Sequence, residues 1–328
     1  MTDPEPEEWT AAKKEKRDVI VADADFRFSH LYMGPFGDGM QEHAHQVTHG
    51  DFTVTGWDWS PDGRHIVFSH QADPRINTAR LDGDISVVNT MEQAGEGEHT
   101  FAVRALVTGP GVEGSPHFSP DGRWVAYVST GSQPEPVGLG DVYVVAAEGG
   151  EPRKLHDTHD RSGGLQGWSR DGSAVLVVES MGTTRHLQAL PVDGSAPRQL
   201  TSGDGVLGSV AFAAGADRMA FSWQTSDDPA DVYVSPVGRW SPAQITDVHA
   251  GIAMPEMGRS EVLTWRSQDG RFEIEGILTY PVGYQPGTRV PLILNVHGGP
   301  AGVFSQSFTG APSIYMIPVS YTHLTLPT

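Results

Sequence analysis

One short stretch has residue types and spacing that fit acyl-transfer chemistry: His297, Gly298, Gly299 and Pro300, directly after the apolar run PLILNV. Two consecutive glycines let a backbone turn sharply and approach a ligand closely. Rigid N–H groups at such a turn can hold the oxygen of a tetrahedral intermediate, and losing one donor costs about 2.7–4 kcal/mol of transition-state stabilisation. The matching nucleophile would be a serine in a G-x-S-x-G elbow further along, then an acid, then a histidine. No such elbow follows His297. Ser305 and Ser307 stand in GVFSQSF and Ser209 in LGSVAF, so none is assigned as a nucleophile. His297 precedes the nucleophile position, whereas the base comes last in this order, so it reads as loop architecture.

Other constellations are weaker. His43, His45 and His49 lie close together, as do His156 and His159, but neither group has a spacing that fixes metal geometry. They read as surface-loop histidines. Asp62, Asp121 and Asp171 recur because each sits in a Pro- or Arg-Asp-Gly turn, where an aspartate caps turn backbone. No glycine pattern matches a phosphate-binding loop. There are no cysteines, which excludes disulfides, zinc–thiolate sites and a cysteine nucleophile. Asp plus Glu is 41 against 22 for Lys plus Arg, a net charge of −19, so nucleic acid is not an expected partner.

The elements around these residues are organised by a repeat. WSPDGRHIVF begins at Trp59, FSPDGRWVAY at Phe118, WSRDGSAVLV at Trp168 and a decayed copy, FAAGADRMAF, at Phe212. The spacing suits propeller blades. In each copy an aromatic residue and Ser close one strand, the Asp-Gly turn follows, and an apolar strand begins. A further strand starts at Asp84, Asp141, His186 and Asp231, and PRKL, PRQL or PAQIT then reads as the lead-in to the next blade. KRDVIVADADFRFSHLYM suggests a partial earlier copy. The visible units number between four and five blades.

After about Gly258 the pattern changes. EVLTWRSQDGRFEIEGILTYPVG alternates like a strand, with Phe272, Ile274, Gly276 and Leu278 along one side. Val290 to Val296 is nearly continuously apolar, as a strand covered on both faces should be. The expected division is 1–258 as a partial β-propeller, 259–317 as the start of a second domain, and 318–328 as a non-native tail. PVSYTHLTLPT, from Pro318, has no hydrophobic period and resembles vector read-through.

The repeats resemble the WD40-like propellers of the translocation protein TolB and of the prolyl oligopeptidase family. SQDGRFEIEGILTYP and VPLILNVHGGPAGVFSQSF are similar to the start of that family's α/β-hydrolase domain, most like its acylaminoacyl-peptidase and dipeptidyl-aminopeptidase branches. The resemblance implies a WD40-like/TolB-like β-propeller followed by the first part of an α/β-hydrolase domain. It implies serine peptidase activity on short peptides, with the N–H of Gly299 in the oxyanion hole and His297, Gly298 and Pro300 shaping the loop. The triad Ser, Asp and His are not assigned within the chain, so the chain by itself is expected to be inactive. No metal or organic cofactor is implied. A short peptide is the expected partner, with no nucleic acid and no membrane; the oligomeric state is not set. MTDPEPEEWTAAKKEKRD has no apolar leader core, which makes a cytoplasmic location the expectation. The alternative is a non-catalytic TolB-like propeller that binds proteins or peptides.

Overall fold

The computed structural model describes residues 7–16, 27–35, 44–93, 101–134, 139–160, 163–213, 217–254, 256–299 and 302–308. Apart from the helix α1 (Glu7–Lys14) and one 3-10 turn, the regular structure among them is strand. A short antiparallel pair, β1 (Tyr32–Met33) and β2 (His45–Gln46), comes first. Next is a four-stranded antiparallel sheet of β3 (Thr53–Trp59), β4 (His65–Gln71), β5 (Asp84–Gln93) and β6 (Phe101–Val107). The second repeat is β7 (Glu113–Phe118), β8 (Trp124–Ser129), β9 (Asp141–Ala146) and β10 (Arg153–Lys154). The third is β11 (Gly164–Trp168), β12 (Ala174–Met181), β13 (Thr184–Pro191) and β14 (Arg198–Gln199). The fourth is β15 (Val206–Phe212), β16 (Arg218–Gln224), β17 (Asp231–Pro236) and β18 (Ala243–Gln244). A hairpin of β19 (Ser260–Arg266) and β20 (Glu273–Thr279) follows. The chain forms two compact units, one of residues 1–175 with 190–196 and one of 176–189 with 197–328.

In the first unit, the reason for continuous apolar runs is visible. A strand points successive side chains to opposite faces. Ile66, Phe68 and Val88 therefore pack with Leu31, Val47 and Phe101 on one face of the first sheet. Val67, Ile85 and Val87 point the other way, into a cluster with Phe118, Val125, Tyr127 and Val145 of the second repeat. The first sheet is thus sandwiched between the β1–β2 segment and the second repeat, as stacked repeats require. Polar links mark the same junctions. The Phe118 N–H donates to Asp58 at 2.9 Å, and the Trp168 indole N–H donates to the His117 carbonyl at 3.0 Å.

The turn in each of the first three repeats is built by its Ser and Asp. In the first, the Ser60 hydroxyl donates to Asp62 at 2.6 Å, Asp62 accepts the Arg64 N–H, and the His65 N–H donates back to Ser60 Oγ. Ser119 with Asp121 and Ser169 with Asp171 repeat the arrangement. Gly63, Gly122 and Gly172 take φ of 70°, 72° and 69°, a conformation that suits glycine.

PRKL, PRQL and PAQIT differ from their expected place. They form the last strand of the blade just completed, with Leu155, Leu200 and Ile245 donating N–H bonds to the carbonyls of Val142, Leu187 and Val232. This edge strand is only two residues long, and short edges resist unwanted pairing. A Gln-x-Thr motif extends it. Thr201 Oγ1 accepts the Leu187 N–H at 2.9 Å, Thr246 Oγ1 accepts that of Val232 at 3.0 Å, and Gln199 and Gln244 donate to the Thr carbonyls. Gln46 and Thr48 do the same for Leu31, so β1 and β2 have the form of the last two strands of a preceding repeat. Most of the remaining KRDVIVADADF segment lies outside the described residues.

Candidate oxyanion loop

The second unit holds the His-Gly-Gly stretch. Leading to it, Val290–Val296 forms no strand and takes no ladder partner among the described residues. Leu292, Leu294 and Val296 are 76%, 81% and 75% exposed. This departs from the expected doubly covered strand. The sequence supplies strand-forming residues, but a sheet also needs a neighbouring strand to satisfy its N–H and C=O groups.

The turn itself is glycine-dependent. Gly299 sits at φ 131°, outside the region that side-chain-bearing residues favour. The His297 ring lies beside the Gly298 carbonyl, Nδ1 to O 3.3 Å, and meets Phe304 edge-on with centroids 6.0 Å apart. A Cβ at Gly302 would collide with the Gly298 carbonyl oxygen, so the two backbones approach closely. Pro300 lies outside the described residues, as does the tail from Pro318. His297 is exposed.

Residues 302–308 are held from elsewhere in the same unit. The Gln306 N–H donates to the Thr183 carbonyl at 2.8 Å and its Nε2 donates to Thr183 Oγ1 at 3.1 Å. The Phe308 N–H donates to Gln224 Oε1 at 3.1 Å. Thr183 lies in the β12–β13 turn, and its own N–H donates to Glu275 Oε2 of β20 at 3.1 Å. Ser305 and Ser307 bond each other at 2.8 Å. Sequence reading missed this network because its partners lie about a hundred residues apart.

The other singled-out residues occupy structural places. Asp62, Asp121 and Asp171 spend their carboxylates on turn donors. Hydrogen bonds from Ser119 and the Arg123 N–H hold Asp121 down to about 2, and those from Ser169 and Ser173 do the same for Asp171. A further turn of this kind was not singled out. Ser267, Asp269, Gly270 and Phe272 join β19 to β20 with the same bonds, and Gly270 has φ 71°. Its SQDG lacks the proline that marks the first two copies. His49 and His156 are exposed. His45 instead lies in β2 with its ring stacked 5.8 Å from Phe101. His43 is outside the described residues. Among the described residues, no group of three or more His, Cys, Asp or Glu has metal-holding geometry, and no helix is long and apolar enough to cross a membrane.

Successive four-strand antiparallel repeats, the third and fourth joined by a parallel β13–β15 pair, define the N-terminal region as a β-propeller. A puromycin-hydrolyzing peptidase of Mycobacterium tuberculosis has a similar fold, with a TM-score of 0.53 at 16% identity over 73% of this chain and 36% of that one. An oligogalacturonate lyase has one too, with a TM-score of 0.52 at 16% identity over 70% and 62%. No family model matches the sequence. The particular family comes from sequence relatives. A dipeptidyl-peptidase 5 of Trichophyton tonsurans is 24% identical over 259 residues, 77% of this chain and 36% of the relative. The likeness to these relatives supports a peptidase of the prolyl oligopeptidase family. It spans just over a third of the length of the curated relatives it matches.

Proposed function

We propose that this chain is the propeller and the leading hydrolase segment of a serine-type peptidase that acts on short peptides. The dipeptidyl-peptidase relatives support a peptidase, and the observation that carries the serine mechanism is the His297–Gly299 turn. Gly299, at positive φ after an apolar run, presents a backbone suited to an oxyanion donor. In this reading His297, Gly298 and Pro300 shape the loop, and the Ser, Asp and His of the triad lie in sequence beyond this chain. The reading places the enzyme in the acylaminoacyl- or dipeptidyl-peptidase branch, needs no cofactor, and assigns 259–317 to the start of an α/β-hydrolase domain and 318–328 to a non-native tail. A cytoplasmic site of action fits the same reading.

The test is hydrolysis of dipeptidyl and N-acylaminoacyl anilides by this chain and by the longer protein that carries its sequence. The chain alone should leave both untouched, and the longer protein should cleave one at least tenfold faster in kcat/KM. A folded longer protein that cleaves neither would contradict the proposal.

A further inference from the structure

The Thr183 turn joins three distant parts of the sequence, and the oxyanion proposal does not use it. Thr183 is buried, and every polar group it offers is engaged: its N–H by Glu275, its carbonyl by the Gln306 N–H, its hydroxyl oxygen by the Gln306 side chain. Gly182 just before it has φ 59°, and a Cβ there would strike the Glu275 carboxylate, so a side chain at this position would push the acid off the turn. On the other side, Gln306 is two residues beyond Phe304, whose ring meets His297. Gly302 in turn packs against the Gly298 carbonyl. The Phe308 N–H bond to Gln224 of β16 holds the far end of the same segment.

We propose that Gln306, clamped on Thr183, is a positioning residue that sets the His297–Gly299 loop from the propeller strands, and that Glu275 holds the clamp in place. This inference rests on the reading of Gly299 as an oxyanion donor. A donor must hold its place before charge develops, and small misplacement costs rate rather than binding. Thr183 supplies both a carbonyl and a hydroxyl, so the clamp fixes Gln306 by main chain and side chain together. The turn thereby ties a blade to the 302–308 segment with hydrogen bonds.

Two measurements on the same variants separate the clamp from the chemistry. Hydrogen exchange in this chain reads the clamp: Gln306→Ala and Thr183→Val should each speed exchange across 302–308 about two- to tenfold, the worth of one net hydrogen bond. Thr183→Ser should restore the original rate, and the double variant should exchange no faster than the faster single one. In the longer protein, Gln306→Ala should lower kcat with KM unchanged, and Thr183→Ser should keep the original kcat. Unchanged exchange in both single variants would overturn the clamp. Faster exchange with unaltered kcat in an active longer protein would overturn its positioning role. A longer protein without peptidase activity would instead remove the oxyanion reading, while exchange would still report on the clamp.

Discussion

At the scale of single residues, the repeat aspartates are structural acids whose worth depends on pH. Serine and backbone donors hold Asp121 down to about 2, below the unfolded value of about 3.9. Its contribution is therefore complete above the unfolded value and disappears as pH falls from about 4 towards 2. Asp121→Asn should lower the melting temperature at pH 7, and thermal scans down to pH 2 should show that difference closing. A constant offset across the range would contradict the role given to the carboxylate. Glu113 runs the opposite way. It is buried, Ser129 donates to its Oε1 at 2.9 Å, Oε2 has no hydrogen-bond partner among the described residues, and burial raises its pKa with Asp84 and Asp82 adding like charge. A raised carboxyl stabilises below its unfolded value of about 4.3 and loses that stabilisation as pH climbs through its folded value. Glu113→Gln should thus gain stability relative to the parent chain between pH 4 and pH 8 in denaturant titrations. The Pro/Arg-Asp-Gly turns were legible in the sequence because all their bonds are local. The Gln-x-Thr motif went unread because its threonine accepts from a strand some fourteen residues away, so its meaning depends on knowing that the short strand belongs to the blade before it.

At the scale of elements, apolar runs mean different things according to what lies beside them. HIVF in β4 is buried on both faces because repeats stack against it. Phe68→Ala should cost about 3–5 kcal/mol, the usual loss for a large buried aromatic, measured by chemical denaturation. Val290–Val296 is as apolar in sequence but exposed, so Leu294→Glu in this chain should shift stability by less than about 0.5 kcal/mol. A cost near that of Phe68→Ala would show that the run is packed. Periodicity and composition made both runs legible as strand material. They could not supply the neighbouring strand, because ladder pairing is a non-local condition. The β19–β20 hairpin shows the converse. Its SQDG turn repeats the blade turn in a stretch read from sequence as a different domain, and alternation alone carries no information about which turn joins two strands.

At the scale of the molecule, the propeller is shared by proteins of different chemistry, a hydrolyzing peptidase and a lyase among them, so the fold alone does not assign an activity. The repeat was the most legible feature of the sequence, because the first three blades write the same turn. The peptidase reading depends instead on sequence relatives and on four residues around Gly299. Between Pro281 and Gly299 the chain has no strand, while β13 is paired on both sides. Limited trypsin digestion should therefore cut after exposed Arg289 before it cuts after Arg185 in β13, read by mass spectrometry of the first fragments. The central claim, that the His297–Gly299 turn serves a serine nucleophile supplied beyond this chain, is tested most directly by a fluorophosphonate probe and peptide mapping on the longer protein. The prediction is one labelled serine, in a G-x-S-x-G elbow C-terminal to this sequence, and no label on residues 1–328. A label on a serine within residues 1–328, or none on a folded longer protein, would contradict it.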